Sequence, residues 1–377
     1  HDETPGTVMA MLQARIGQLP GGARQVLRAA SVFRETFWQD GVIALLGQAQ
    51  REDVTAQIDV LVGRELFAVH ADSRFPHQRE LRFRHTLLRD AAYSLLTEQD
   101  QVLGHRLAGA FLQSQGESDQ AVLAEHARRG QQPERAVQCY SAAAEGALSR
   151  NDVSAALRYA RACRSCAPSG EALGLLCSIE ATANLWGGEL QVARAAGLEA
   201  LDLLPRGSKR WFQSILALWL TTIYLGQSGL FNELRDRFRD AEPQPDAINA
   251  YIEASSFLIV MASLVGQAEQ SRYFLSRLES ASAPYMATDL AVQGWVNYAR
   301  GIYCHWIENN LWRKAQLAQE TIAASHQIGD RRMRCMALTA LGLAQMGMGA
   351  YHDGAETHRA ALALLKKLPS ETYLLGA

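Results

Sequence analysis

The chain has 377 residues, and its 37 basic and 39 acidic residues leave a net charge of −2, which excludes a strong field that attracts nucleic acid or an anionic membrane. A hydrophobic fraction of 48% argues against long disordered stretches, and the length predicts either two domains or an array of repeats. No apolar run approaches the roughly 20 residues that span a bilayer. We therefore expect a cytoplasmic protein without a membrane partner and, because the sequence begins without a methionine, a fragment of a larger protein.

The first hundred residues predict several short helices and one β-hairpin. The helices are expected at 8–19, 22–32, 41–46, 54–63, 87–96 and 101–112. Residues 66–71 and 80–84 flank a turn with Asp72, Ser73 and Pro76, a pattern typical of two antiparallel strands. Helices followed by such a hairpin predict a winged helix, which we place at residues 1–115.

A phrase of sequence recurs six times in the rest of the chain: a turn-former, then usually a small residue five positions later, then an amphipathic helix. The copies begin at Asn151, Gly188, Gly229, Gly266, Asn310 and Gly349. The small residues are Ala156, Ala193, Ser271, Ala315 and Gly354, and Leu234 is the exception. Gly and Asn tolerate the positive φ of a tight turn, and a small residue lets two helices approach closely. Because an apolar helical stretch also precedes each turn, residues 116–377 predict a superhelix of about six or seven helical hairpins.

The last copy carries a family resemblance. Residues 349–364, GAYHDGAETHRAALAL, resemble the second helix of a tetratricopeptide repeat, and Leu341-Gly342 resembles part of the helix before it. The copies are longer than the repeats of that family, and Gly354 replaces its small Ala. The resemblance implies a right-handed α–α superhelix.

Two phrases in the first hundred residues resemble a second family. Residues 12–33, LQARIGQLPGGARQVLRAASVF, and 81–96, LRFRHTLLRDAAYSLL, are similar to the winged helix that follows the nucleotide-binding domain of STAND ATPases, and 125–148 resembles their first repeat. This class includes LuxR-type transcriptional activators and bacterial fusions with a Ser/Thr kinase or a nucleotide cyclase. The resemblance implies a neighbouring domain that binds ATP or ADP with Mg²⁺, and no cofactor in this chain itself.

The same resemblance implies a nucleotide-sensing role for His85, with Arg84 and Arg89 beside it. In STAND ATPases a winged-helix histidine contacts the β-phosphate of ADP and holds the inactive state, and an imidazole can donate such a hydrogen bond. The alternative is that His85 only fixes the junction between strand and helix. The sensing role requires the nucleotide-binding domain.

The segment that would enter a DNA groove in a winged helix is acidic. It covers residues 53–64 and offers Asp53 and Asp59 beside a single arginine, so phosphate would be repelled. We therefore do not expect this domain to bind nucleic acid.

Other motifs favour structural interpretations. Cys163 and Cys166 form a C-x-x-C without a second pair, which favours buried thiols over a metal or redox site. Glu125-His126 lacks the second histidine of a metalloprotease helix. The sequence contains no phosphate-binding loop, kinase catalytic loop or nucleophile elbow, so we expect no catalytic residue and no metal site.

Aromatic residues concentrate in the middle copies, and most are expected to pack between helices. A few of them could line the concave face, where arrays of this kind bind their ligands. Our first candidates for such a face are Tyr298, Arg300 and Trp306.

The sequence thus predicts an all-α chain apart from a small wing, with a winged helix followed by a tetratricopeptide-like superhelix. The predicted function is regulatory: the arm senses a protein or small-molecule inducer and controls the neighbouring ATPase, with a kinase fusion favoured as the parent protein. Two alternatives stay open, a passive protein-binding scaffold and the sensor region of a LuxR-type activator.

Overall fold

The computed structural model describes residues 5–366, with side chains from residue 8 onward. Within this range it contains nineteen α-helices and three short β-strands. The chain divides into two compact units: the first comprises the residues up to 143 together with 161–168, and the second comprises 144–160 and the residues from 169. In the described part of the chain, no helix is both long and apolar enough to cross a membrane. The boundary expected at residues 115 and 116 stays a prediction.

Seven helices lie entirely in the first unit. They are α1 (Pro5–Gly17), α2 (Gly21–Ser31), α3 (Gln39–Leu46), α4 (Arg51–Gly63), α5 (Thr86–Ser94), α6 (Glu98–Ser114) and α7 (Gln120–Arg129), with a short 3-10 helix at Gln48–Gln50. Local sequence sets two of the starts: Thr97 and Asp100 form a capping box at α6, and Asp119 accepts hydrogen bonds from the first amides of α7.

Three strands form one antiparallel sheet in the first unit. They are β1 (Thr36–Trp38), β2 (Phe67–Val69) and β3 (Glu80–Phe83), in the order β1-β3-β2. The strands β2 and β3 fall within the two predicted strand segments, whereas β1 was not predicted. Phe37, Phe67 and Phe83 meet edge to face or tilted on this sheet, with ring centroids 4.7 to 5.5 Å apart. Burial of each ring stabilises the unit by roughly 1.5–3 kcal/mol.

Twelve helices from α8 onward form six consecutive hairpins in the described part of the chain. They are α8 (Pro133–Ser149) with α9 (Val153–Arg164), α10 (Gly170–Trp186) with α11 (Leu190–Leu203), α12 (Lys209–Tyr224) with α13 (Ser228–Arg239), α14 (Ile248–Leu264) with α15 (Ala268–Ser282), α16 (Leu290–Trp306) with α17 (Leu311–Ile328), and α18 (Arg331–Gly347) with α19 (Tyr351–Leu365). The turn between α8 and α9 belongs to the second unit.

The turn within each hairpin contains one residue in the left-handed conformation, and the second helix begins two positions later. These residues are Asn151, Gly188, Gly226, Gly266, Asn309 and Gly349, with φ between 51° and 86°. Two of the six predicted starts are therefore wrong, because Gly226 and Asn309 take this conformation instead of Gly229 and Asn310. Asn309 and Asn310 are adjacent turn-formers, and Gly226 and Gly229 lie three positions apart, so local sequence does not decide which one has positive φ.

These two corrected turn positions change which residue stands five positions later, where the two helices were expected to approach closely. Five residues after Gly226 and Asn309 stand Phe231 and Lys314, rather than Leu234 and Ala315. Lys314 is buried at a position that most other hairpins fill with a small residue. The substitution of Gly for Ala at 354 also has a cause: a Cβ there would lie 3.0 Å from the carbonyl oxygen of Gly342.

The first helices of successive hairpins pack directly on one another from α10 through α18. Aromatic side chains form the largest core of this layer, centred on the fully buried Trp219 and Tyr251. The ring of Phe238 on α13 stacks on Tyr251, with centroids 5.5 Å apart. Most aromatic residues of the middle hairpins thus pack between helices, as predicted.

Candidate functional site

A charged cleft of about 670 Å³ lies in the first unit. The end of α2, β1, the loop between β2 and β3, and helices α5, α6 and α7 contribute its walls. Its polar lining comprises Arg34, Glu35, Arg74, Arg89, Asp90, Tyr93, Glu117, Glu125, His126 and Arg129, beside Phe33 and Trp38. Four arginines and four carboxylates are among these residues, so the cleft presents many hydrogen-bond donors with little net charge.

Glu125 on α7 is the most heavily bonded carboxylate of the cleft. Arg128 donates two hydrogen bonds to it, at 3.0 and 2.9 Å, Arg129 donates one at 2.5 Å, and the hydroxyl of Tyr140 donates one at 2.9 Å. Burial alone would raise the pKa of Glu125, but these hydrogen bonds outweigh it and lower the pKa to about 2. Local sequence explains the cluster, since residues three and four positions apart meet on one helix face.

Two buried histidines meet behind the wall of the cleft. The Nδ1 atoms of His105 on α6 and His126 on α7 lie 3.0 Å apart, and the hydroxyl of Tyr93 lies 2.9 Å from Nε2 of His105. Burial, together with nearby cations, lowers the pKa of His105 to about 3 and that of His126 to about 4. Both rings are therefore neutral at pH 7, one Nδ1 donating to the other, and they add no positive charge to the cleft.

Arg34 enters the cleft from a strained backbone position. It has a φ of 82°, which non-glycine residues adopt at a cost of about 1–2 kcal/mol. Its guanidinium lies 3.9 Å from Glu125, and its side chain is largely exposed. The left-handed backbone at Arg34 thus places a largely exposed cation at the cleft, beside Glu125.

The three residues predicted for nucleotide sensing separate in the structure. Arg89 lines the cleft and pairs with Asp90. His85 is exposed at the junction of β3 and α5, where its carbonyl accepts hydrogen bonds from Leu88 and Arg89, and its side chain does not cap the helix. Arg84 is exposed too, and its amide donates to the carbonyl of Leu66. Of these three residues, only Arg89 therefore lies among the arginines that line the cleft.

Sequence reasoning missed the histidine pair. The Glu125-His126 motif was set aside because its own helix offers no second histidine, yet His105 supplies one from the neighbouring helix. No spacing rule links residues 105 and 126. In the part of the chain that the structure describes, no group of three or more His, Cys, Asp or Glu side chains could hold a metal ion.

The C-x-x-C side chains point in different directions. Cys163 is buried beside the hydroxyl of Ser141, with 3.6 Å between Sγ and Oγ. Cys166 lies 3.5 Å from the carbonyl of Ala162, and burial raises the pKa of its thiol. These contacts favour the packing interpretation.

The three candidates for a concave binding face all lie on α16 but on different sides of it. Tyr298 packs against the apolar cluster around Ile302 and Leu341, and burial raises its pKa to about 12. Arg300 lies about 160° around the helix from Tyr298 and donates to Glu279 at 2.7 Å. Trp306 is 49% exposed at the end of the helix. The structure does not bring these three side chains together.

Comparisons with known proteins give partial matches. A scan against protein families found none that matches the chain. Over 146 residues the chain is 34% identical to an uncharacterized protein of Rhizobium meliloti (strain 1021), and the match covers 38% of this chain and 14% of that protein. The fold is similar, with a TM-score of 0.40 and 14% identity, to the Signal Transduction ATPase with Numerous Domains (STAND) protein with a tetratricopeptide repeat sensor from Pyrococcus horikoshii. That similarity covers 97% of this chain and 47% of the other, so this chain spans less than half the length of either protein.

Proposed function

We propose that this chain is the sensor arm of a larger STAND-type signalling ATPase, in which the hairpin array binds a partner or inducer and the first unit relays that event to the nucleotide-binding domain. The observation that carries the proposal is the arrangement along the chain, in which six hairpins follow helices α1–α7, the segment that contains both phrases of the STAND resemblance. The mechanism is a population shift, since an inducer acts only through its different affinity for the two states of the ATPase.

We infer that the first unit is built on a winged helix. Its order of elements supports this inference: α2, β1, α3 and α4 precede the antiparallel strands β2 and β3, and the loop between those strands is the wing. The helix that would enter a DNA groove is α4, and its exposed side chains include Glu52, Asp53 and Asp59. Repulsion of phosphate by these carboxylates favours a structural role over a role in DNA binding.

The relay to the nucleotide would use the exposed side chains at the start of α5. His85 and Arg84 are both accessible to a neighbouring domain, and an imidazole and a guanidinium are suitable donors to phosphate oxygens. Arg89 is engaged in the cleft, so its role would be to hold α5 in position. The parent protein, a kinase fusion in our proposal, would carry the ATP or ADP and Mg²⁺.

Three exposed aromatic side chains support a protein as the inducer. Trp306, Trp312 and Tyr351 are 49%, 69% and 69% exposed at the turns of the last two hairpins. Trp and Tyr dominate the energetics of protein interfaces because they bury a large area at a small entropic cost. A passive scaffold would use the same aromatic side chains, but a scaffold does not require the exposed donors Arg84 and His85 just before α5.

The test is a substitution of His85 in the parent protein. His85→Ala is expected to weaken the retention of ADP and to raise basal ATPase or output activity, because the inactive state loses a contact with the β-phosphate. His77→Ala is the matched control, since His77 is also exposed and lies in the loop between β2 and β3. Unchanged ADP retention together with unchanged basal activity in His85→Ala would contradict the sensing role.

A further inference from the structure

One hydrogen bond in the second unit joins hairpins that are not neighbours. The guanidinium of Arg332, near the start of α18 in the sixth hairpin, donates to Oδ1 of Asn151, which is 181 residues away in the sequence. Asn151 is the left-handed residue in the turn of the first hairpin. In repeat arrays each unit normally contacts only its neighbours. This bond therefore links the two ends of the described array.

A second contact of Arg332 reaches the second hairpin. Its Cζ atom lies 4.8 Å from the ring centroid of Trp186, at the end of α10, in the geometry of a cation–π interaction. Trp186 in turn packs against the cluster around Leu185 and Ala193, which fixes the position of the ring. The guanidinium is thus held on two sides by residues from the beginning of the array.

The position of Arg332 is also fixed from its own helix. The Oδ1 atom of Asp330 accepts hydrogen bonds from the amides of Arg332 and Met333, at 2.9 and 3.0 Å, and Met333 is buried. Glu253 on α14 lies close enough to this group for Asp330 and Arg332 to affect it. Burial and Asp330 raise the pKa of Glu253 to about 7, while Arg332 acts in the opposite direction. The guanidinium itself contacts Asn151 and Trp186, while Asp330 positions the backbone that carries it.

We propose that Arg332 is a clasp that holds the hairpin array of the second unit in a closed conformation, and that breaking its contacts with Asn151 and Trp186 opens the array. The contacts of the clasp are polar or cationic and can be replaced by water. By contrast, apolar side chains join successive hairpins and would have to leave their core in order to separate. Opening therefore exchanges a few polar contacts and distributes small rotations over the hairpins, which is the property of a two-state element.

The clasp is a property of this chain alone and does not depend on the proposed control of an ATPase. Its test is a distance measurement on residues 1–377. Ser149 and Gln327 are exposed and lie near the two ends of the clasp. Spin labels attached there through p-acetylphenylalanine, which leaves the native cysteines untouched, report the separation of the two ends by double electron–electron resonance.

Two variants remove the clasp from opposite sides. Arg332→Ala deletes the guanidinium, and Asn151→Gly deletes the acceptor while retaining the left-handed backbone conformation. Both are expected to shift the distance distribution to longer values and to broaden it. Arg331→Ala is the matched control, because its side chain is the exposed neighbour of Arg332, and it is expected to leave the distribution unchanged.

Circular dichroism establishes whether each variant keeps its helices. If Arg332→Ala does not fold, Asn151→Gly decides the outcome. Folded variants that keep the parent distance distribution would overturn the proposal, since the packing between neighbouring hairpins would then be enough to hold the ends together. An equal shift in Arg331→Ala would also overturn it, because the effect would not be specific to the clasp.

Discussion

Lys314 is a buried basic residue at a position where most of the other hairpins have a small one. It stands five positions after the left-handed Asn309, where four other hairpins have Ala, Ser or Gly, and its side chain is 1% exposed. The Nζ atom lies 2.9 Å from Nδ1 of His305. Burial lowers the pKa of Lys314 to about 8, so the folded chain has to hold an unfavourable charge at neutral pH.

We expect Lys314→Met to stabilise the chain at pH 7. The folded pKa lies below that of an exposed lysine, so the native side chain costs stability progressively as the pH falls from about 10.5 to 8, and the full cost applies at pH 7. Urea denaturation should show a gain of about 1–3 kcal/mol in unfolding free energy at pH 7 and a smaller gain at pH 10. Lys209→Met, at an exposed position, should change stability by less than about 0.5 kcal/mol. A gain of the same size at both pH values would contradict this account.

The histidine pair predicts a loss of stability in mild acid. The pKa values of His105 and His126 in the folded chain, about 3 and about 4, lie below that of an unfolded histidine. Protons therefore bind preferentially to the unfolded chain, so stability is retained above pH 6.5 and falls as the pH drops toward 4. The slope should approach about 1.4 kcal/mol per pH unit for each ring.

Denaturant titrations between pH 7 and pH 4 measure this slope. His126→Asn removes one buried imidazole and should reduce the slope. His352→Asn removes an exposed one and should not. If both variants keep the parent slope, other groups control the acid sensitivity.

At the scale of elements, the helices could be predicted from the sequence, and the strand β1 could not. Each predicted helix of the first hundred residues overlaps an observed one, because an apolar period of 3.6 is a local signal. The strand β1 has only three residues, which is too short to show an alternating pattern. It exists because Phe37 and Trp38 pair with Leu81 and Glu80, more than forty positions away in the sequence.

Helix packing also decides whether a substitution toward the tetratricopeptide pattern stabilises or destabilises the chain. The sequence pattern favours Ala at position 354, and Ala is usually about 1 kcal/mol better than Gly inside a helix. In the structure, however, a Cβ at residue 354 would lie 3.0 Å from the Gly342 carbonyl and 2.5 Å from Cγ of Met346. We therefore expect Gly354→Ala to destabilise the chain by about 1–3 kcal/mol.

Thermal or urea denaturation shows whether helix propensity, which favours Ala, or the close contact, which favours Gly, determines the stability of Gly354→Ala. Gly146→Ala serves as the control, since a Cβ there meets only the end of the Arg150 side chain, at 3.4 Å, and this variant should be neutral or stabilising. A stabilised Gly354→Ala would show that α18 and α19 separate at little cost.

At the scale of the whole molecule, charge argues against DNA binding, because α4 carries three carboxylates and one arginine. The net charge is −2, and of the acidic residues on α4, Asp59 is paired with Arg79 at 2.7 Å while Glu52 and Asp53 are exposed. Affinity for DNA depends mainly on contacts between cations and phosphates. A winged helix, which we propose for the first unit, would not by itself supply those contacts.

In an electrophoretic mobility shift assay at low salt, we expect micromolar protein not to retard a DNA duplex. The double variant Glu52→Arg, Asp53→Arg is the positive comparison, because it reverses the charge of the exposed start of α4 and should produce weak, salt-sensitive binding. Tight binding by the parent chain would contradict the structural role of this domain.

The sequence by itself determined the helical class, an array of about six or seven hairpins and the position of four turns, because apolar period and turn-forming residues are local properties. Tertiary structure alone decided that Gly226 rather than Gly229, and Asn309 rather than Asn310, is the left-handed residue of its turn, since the packing of the second helix selects it. It also brought His105 to His126, β1 to β3 and Arg332 to Asn151. These pairs lie far apart in the chain, and only the folded arrangement of helices determines which side chains meet.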